Sequence, residues 1–169
     1  MTQELIDLRA SILEGRYEDA LGIIDELEGM SKQAIIRNID SFLIRLIIHL
    51  IKNQIEQRLT NSWATSISDS IRQIKKLNLK DNKNSYYINA DEWQPFLEEN
   101  VEAAIRPASL EVLNGQLKAK QLSERLDRNQ LMLIAQQFLD LTYTYSAKDL
   151  PAIVDDYLVQ LPGGEDWQA

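Results

Sequence analysis

The chain has 169 residues, with 18 Lys and Arg against 26 Asp and Glu, a formal charge of −8. It has no cysteine and a single histidine, which excludes disulfides, thiolate nucleophiles, zinc fingers and iron–sulfur ligation and most other metal chemistry. The length suits one domain able to bury roughly 70 % of its unfolded surface. Its 44 % apolar and 26 % charged content is that of a globular protein, and its overall acidity argues against a dedicated nucleic-acid binder.

From the start of the chain, Glu4, Asp7 and Glu14 interrupt the apolar residues where a secretory signal needs a basic start and an unbroken apolar run. Leu5, Leu8 and Ile12 mark a first helix ending at Gly15. Tyr17, Ala20, Leu21, Ile24 and Leu27 mark a second, for which Gly29 is the expected stop. The two read as an antiparallel pair. Gly15 to Leu21 resembles half of a tetratricopeptide repeat, but no second copy follows at the required spacing. Ser31 is an expected N-cap, with Met30 and Ile35 as a hydrophobic staple, for a third helix running to about Arg58.

On that third helix apolar side chains from Ile35 to Ile55 cover about two-thirds of the circumference, the mark of a helix surrounded by others. Asp40 falls inside the apolar arc and needs a partner. Arg45 and His49 interrupt the most apolar stretch, Phe42 to Ile51, which is half the roughly 20 residues a helix needs to span a bilayer. The chain therefore reads as soluble and cytoplasmic, with no membrane partner.

Ser62 is the expected cap of a fourth helix carrying Trp63, Ile67, Ile71, Ile74 and Leu77. Asp81 to Ser85 is turn-rich, and Tyr86-Tyr87-Ile88 reads as extended, without an obvious partner strand. A fifth helix starts near Asp91 and is kinked or ended by Pro107. Leu117, Leu122 and Leu126 suggest a sixth. Asp127 with Gln130 resembles a capping box that opens a seventh, and Asp149 with Pro151 opens the last. The expected fold is all-α, a compact multi-helix bundle around one long central helix. The expected organisation is a core over 1–112, an added helical extension over 113–161 and a flexible tail over 162–169.

Two groups of residues are candidates for a site. The first is the polar stripe Arg45, His49, Lys52 and Glu56 on the central helix, either a pocket or a seam. The cations beside His49 would favour its neutral form, and an enzyme reading would need Asp40 or another carboxylate to orient it. The second is the basic run Arg72, Lys75, Lys76, Lys80 and Lys83, followed by Tyr86, Tyr87 and Trp93. Cations beside exposed aromatics bind single-stranded nucleic acid, while cations near a helix C-terminus also simply complement its dipole.

Other chemistries fail on residue type. Di-iron bundles need Glu-x-x-His, and the residue three before His49 is Leu46. Glu98, Glu99 and Glu102 read as a solvated acidic face. Asp81 to Ser85 imitates the start of a calcium loop but carries lysine at its third position. Six scattered glycines build no phosphate loop, dinucleotide fingerprint or nucleophile elbow. No metal or cofactor is implied.

Leu46 to Lys52, reading Leu-Ile-Ile-His-Leu-Ile-Lys, is followed by Ser62-Trp63 and then Ile67, Ile71, Arg72 and Ile74. Upstream lie Leu13-Glu14-Gly15-Arg16-Tyr17 and Ile24 to Met30. Over Leu5 to Leu110 this pattern resembles the bacterial family called domain of unknown function 29. The resemblance implies a compact helical bundle and no activity. Asn53 stands where that pattern often has tryptophan. The expected function is a non-catalytic protein-interaction or regulatory module, with a protein partner or self-association. The alternatives are nucleic-acid binding through 72–93 and an enzyme using His49.

The charge is unevenly spread. Residues 1–30 hold 2 cations and 8 anions, 31–84 hold 10 and 4, and 85–169 hold 6 and 14. A basic centre therefore lies between acidic flanks, so net acidity does not exclude a local anion-binding face.

Overall fold

A computed structural model describes residues 2–82 and 84–168. The fold is all-α. Among the described residues seven helices follow in order: α1 Gln3–Leu13, α2 Tyr17–Glu56, α3 Asn61–Asn78, α4 Gln94–Ser109, α5 Ala119–Arg125, α6 Arg128–Thr144 and α7 Leu150–Leu158. Short 3-10 turns cover Val112–Gly115 and Glu165–Gln168. Among the described residues no helix is long and apolar enough to cross a membrane.

The second and third helices expected from sequence are one helix, the 40-residue α2. A glycine that stops a helix takes a left-handed φ. Gly15 does so at +75°, but Gly29 is not among the positive-φ residues. Inside a helix a glycine costs only about 1 kcal/mol relative to alanine, and no proline reinforces the break at Gly29 to Ser31. Ser31 is therefore a mid-helix residue and not a cap.

The chain divides into two compact units, residues 1–37 and 38–169. This boundary lies inside α2. The first unit is a helical hairpin of α1 and the N-terminal part of α2, closed at Gly15. Among its described residues only Ser11 and Ala20 are buried.

The second unit holds the core. The remainder of α2 is its central helix, with Ile39, Leu43, Leu46, Ile47 and Ile51 fully buried. Around it α3 packs on α6 and α7, α4 on α5 and α6, and α6 on α7. Asp40 has its partner: Asn100 Nδ2 donates to it at 3.0 Å. Thr60, two residues before the expected Ser62, caps α3 by accepting from the Trp63 N–H at 3.1 Å. Pro107 sits in the last turn of α4, two residues before its end. Asp127 caps α6 as expected, accepting from the Gln130 N–H at 3.1 Å. Its own N–H donates to the Gln54 side chain, so the box closes onto α2.

The extended segment does find a partner. Tyr86 forms an isolated antiparallel bridge with Leu79, across a turn in which Asn82 Oδ1 accepts from the Asn84 and Ser85 N–H groups. At the far end, Gly164 is buried and the Trp167 indole donates to Asp155 at 3.2 Å. A Cβ on Gly164 would meet the Leu158 carbonyl oxygen, and one on Gly163 would lie 2.7 Å from Arg58 Cα. Gly163 lets the chain after α7 lie against the α2–α3 loop, and Gly164 lets it fold back on the end of α7.

Candidate functional site

The polar stripe lies on the C-terminal part of α2, and each of its members is engaged by a neighbour. Arg45 pairs with Asp69 at 3.1 Å and reaches the Ser66 hydroxyl at 3.3 Å, both on α3. His49 donates its Nδ1–H to the Arg45 carbonyl at 2.8 Å, one turn back. Burial is the main force pushing the His49 pKa down; Lys52 and Arg45 add to it, and the Arg45 hydrogen bond and Glu111 oppose it. Among the described residues no carboxylate hydrogen-bonds its ring. A general base lacks its orienter here.

Lys52 is buried, 3.1 Å from Glu111 and 5.5 Å from the Trp63 ring centre. Glu56 accepts from Arg58 Nε at 3.0 Å and from the Leu113 N–H at 3.3 Å. Leu113, Asn114 and Gly115 all have left-handed φ, a conformation non-glycine residues adopt only at a cost. The Glu56 carboxylate thus holds a strained turn. The stripe is a seam that fastens α3 and the turn after α4 to the central helix.

The basic run is dispersed by its partners. Arg72 pairs with Asp69 at 3.0 Å. Lys75 donates to the Thr142 carbonyl at 2.6 Å, and burial lowers its pKa. Lys76 is exposed. Lys80 lies 5.5 Å from the Tyr87 ring centre, and Lys83 lies outside the described residues. The aromatics are not the exposed group expected from sequence. Trp93 is 0 % exposed because α4 starts there against α6, and its indole donates to the Tyr143 hydroxyl at 2.7 Å.

Tyr86 packs edge-on to Tyr143 at 4.7 Å. Tyr143 also accepts from Asn78 and donates to the Ile88 carbonyl, and burial pushes its pKa up to about 12. This network ties the bridge segment to α6 and leaves Trp93 no face for a base.

Sequence reasoning missed two surfaces. The first is on the hairpin. Among the described residues ten large apolar side chains are exposed, and eight of them lie within residues 5–30. Leu5 and Ile12 share one side of α1, and Tyr17, Leu21 and Ile24 share one side of α2, at spacings of three, four or seven. The opposite side of the hairpin is a shallow groove of about 500 Å³ lined by Asp7, Glu18, Asp19 and Glu26 together with Arg16. Arg16 pairs with Glu14 at 2.8 Å and Asp19 at 3.0 Å. The signal for this surface was present in the spacing, which was read as a packed pair.

The second is a cleft of about 450 Å³ in the second unit, between the end of α2, α6 and the segment after α7. Its floor is Leu50, Leu131, Ile134, Phe138, Tyr157 and Leu161, and its polar members are Asn53, Gln54, Gln57, Gln130, Gln137 and Gln160. None of its thirteen lining residues is charged, although 26 % of thirteen is about three. Arg45, His49 and Lys52 lie outside it. Five glutamines spread over three segments leave no local motif, so only the fold brings them together.

No curated protein and no solved structure matches the chain. A family model does match, over residues 14–139, which is about three quarters of the chain and extends past Leu110 into α6. By that match the chain belongs to the family described as Domain of unknown function DUF29.

Proposed function

We propose that this protein is a non-catalytic interaction module that self-associates through the apolar side of its N-terminal hairpin. The observation that carries the reading is the concentration of exposed apolar side chains there: Leu5 at 42 %, Ile12 at 49 %, Tyr17 at 66 % and Leu21 at 61 %. Exposed apolar side chains gathered on one side of a hairpin mark an interaction surface.

A second copy is the occupant that fits. Two helical hairpins that face each other make a four-helix bundle, in which each completes the core the other lacks. A stable interface buries roughly 800 Å² per partner, so the apolar side chains would form its centre and the polar residues around them its rim. The carboxylates of Asp7, Glu18, Asp19 and Glu26 lie on the opposite, groove side, so their repulsion is kept from the contact.

The chain has no cysteine, so a single introduced thiol reports on one place. Single cysteines are placed in turn at Leu5, Ile12, Leu21 and Ile24, and at the exposed Leu133 of α6 as a control. Under mild oxidation, at least one hairpin position is expected to give a disulfide-linked dimer while Leu133→Cys stays monomeric. Failure at all four positions, or equal crosslinking at Leu133→Cys, contradicts the reading.

A further inference from the structure

The uncharged cleft is a separate matter and involves none of the hairpin residues. Its volume of about 450 Å³ lies in the range of small-molecule sites, which combine an apolar floor with a few polar groups. The Phe138 and Tyr157 rings stand 6.3 Å apart on its floor.

The polar groups divide into two sets. Gln54 and Gln57 are engaged within the protein: the Gln54 side chain bonds to both the N–H and the carbonyl of Asp127, and Gln57 Nε2 donates to the Gln54 carbonyl at 2.7 Å. The carboxamides of Gln130, Gln137 and Gln160 make no hydrogen bond to any described residue. Asn53 is 2 % exposed, and its amide donates to the Arg58 carbonyl at 3.0 Å and the Pro162 carbonyl at 2.8 Å. With both N–H groups used, its solvent-reachable Oδ1 is left to accept from a donor in the cleft.

We infer that this cleft binds a small uncharged molecule with an apolar, flat body and an amide-like edge. A carboxamide offers both a donor and an acceptor, so three free ones match an edge that also carries both. A charged ligand would surrender its water on entering and meet no counter-charge.

The test uses three probes of one shape and different charge: benzamide, benzoate and benzylammonium. Each is titrated into the labelled full chain and followed by amide chemical shifts. Benzamide should give saturable shifts at Leu131, Ile134, Phe138 and Leu161, and the two charged probes should bind at least about fivefold more weakly. Gln137 is exposed, so Gln137→Glu keeps the fold and should make benzylammonium the tightest of the three. Shifts that stay linear, shifts centred elsewhere, a charged probe that matches benzamide on the unsubstituted protein, or an unchanged order in Gln137→Glu would each overturn the proposal.

Discussion

The two units carry the same kind of sequence and use it differently. In residues 2–37 and in residues 38–168, apolar side chains recur at helical spacing. In the second unit they are buried by neighbouring helices: Leu46 is 0 % exposed. In the hairpin Leu21, on the same helix α2, is 61 % exposed. Helical periodicity states which side of a helix is apolar; it does not state which molecule covers that side.

The largest expected effect breaks that comparison directly. Leu46→Ala should destabilise the second unit by about 3 kcal/mol, because it removes packed atoms and leaves a cavity. The chemically identical Leu21→Ala should change the stability of the dilute monomer by less than about 0.5 kcal/mol. Denaturant melts of both variants decide it, and equal losses would mean that the hairpin carries its own core.

Asn53→Ala is next. It removes the donors that the Arg58 and Pro162 carbonyls accept from, and should cost about 2 kcal/mol in the same melts. A smaller gain is expected at Gly29. No atom lies within 4 Å of a Cβ built there, so Gly29→Ala should stabilise α2 by up to about 1 kcal/mol. Slower amide exchange across residues 25–33 would report it. Faster exchange there would mean that α2 is broken at Gly29 after all.

The smallest effect is a pH dependence confined to the second unit. The folded state holds the His49 pKa below its unfolded value near 6.5, chiefly through burial. The unfolded chain therefore binds the proton first as pH falls. His49 contributes its stability in full above about pH 6.5 and loses it as pH falls through the lower folded value. His49→Gln should flatten the stability profile just below pH 6.5, and an unchanged profile would remove His49 as its source.

The fold was largely legible because most of its signals are local. Gly15, the apolar spacing of α3 and the Asp127 cap each lie within a few residues of what they determine. Gly29 misled because a stop and a tolerated interior glycine look alike in sequence and differ only in φ. The sites were less legible because their chemistry depends on contacts across the chain. Arg45 and Lys52 read as part of a stripe that was either a pocket or a seam until Asp69 and Glu111 are brought beside them. Trp93 read as exposed until Tyr143, fifty residues later, takes its N–H. The glutamine cleft joins positions 54, 130 and 160, which no motif relates.

The central claim is that the hairpin's apolar side is covered by a second copy. Light scattering coupled to size exclusion, run as a concentration series into the submillimolar range, measures it directly. The chain should approach twice its 19.4 kDa mass, about 39 kDa, and Leu21→Asp should return it to 19.4 kDa with an unchanged helical spectrum. A mass of 19.4 kDa at every concentration, or a dimer that Leu21→Asp leaves intact, would contradict it.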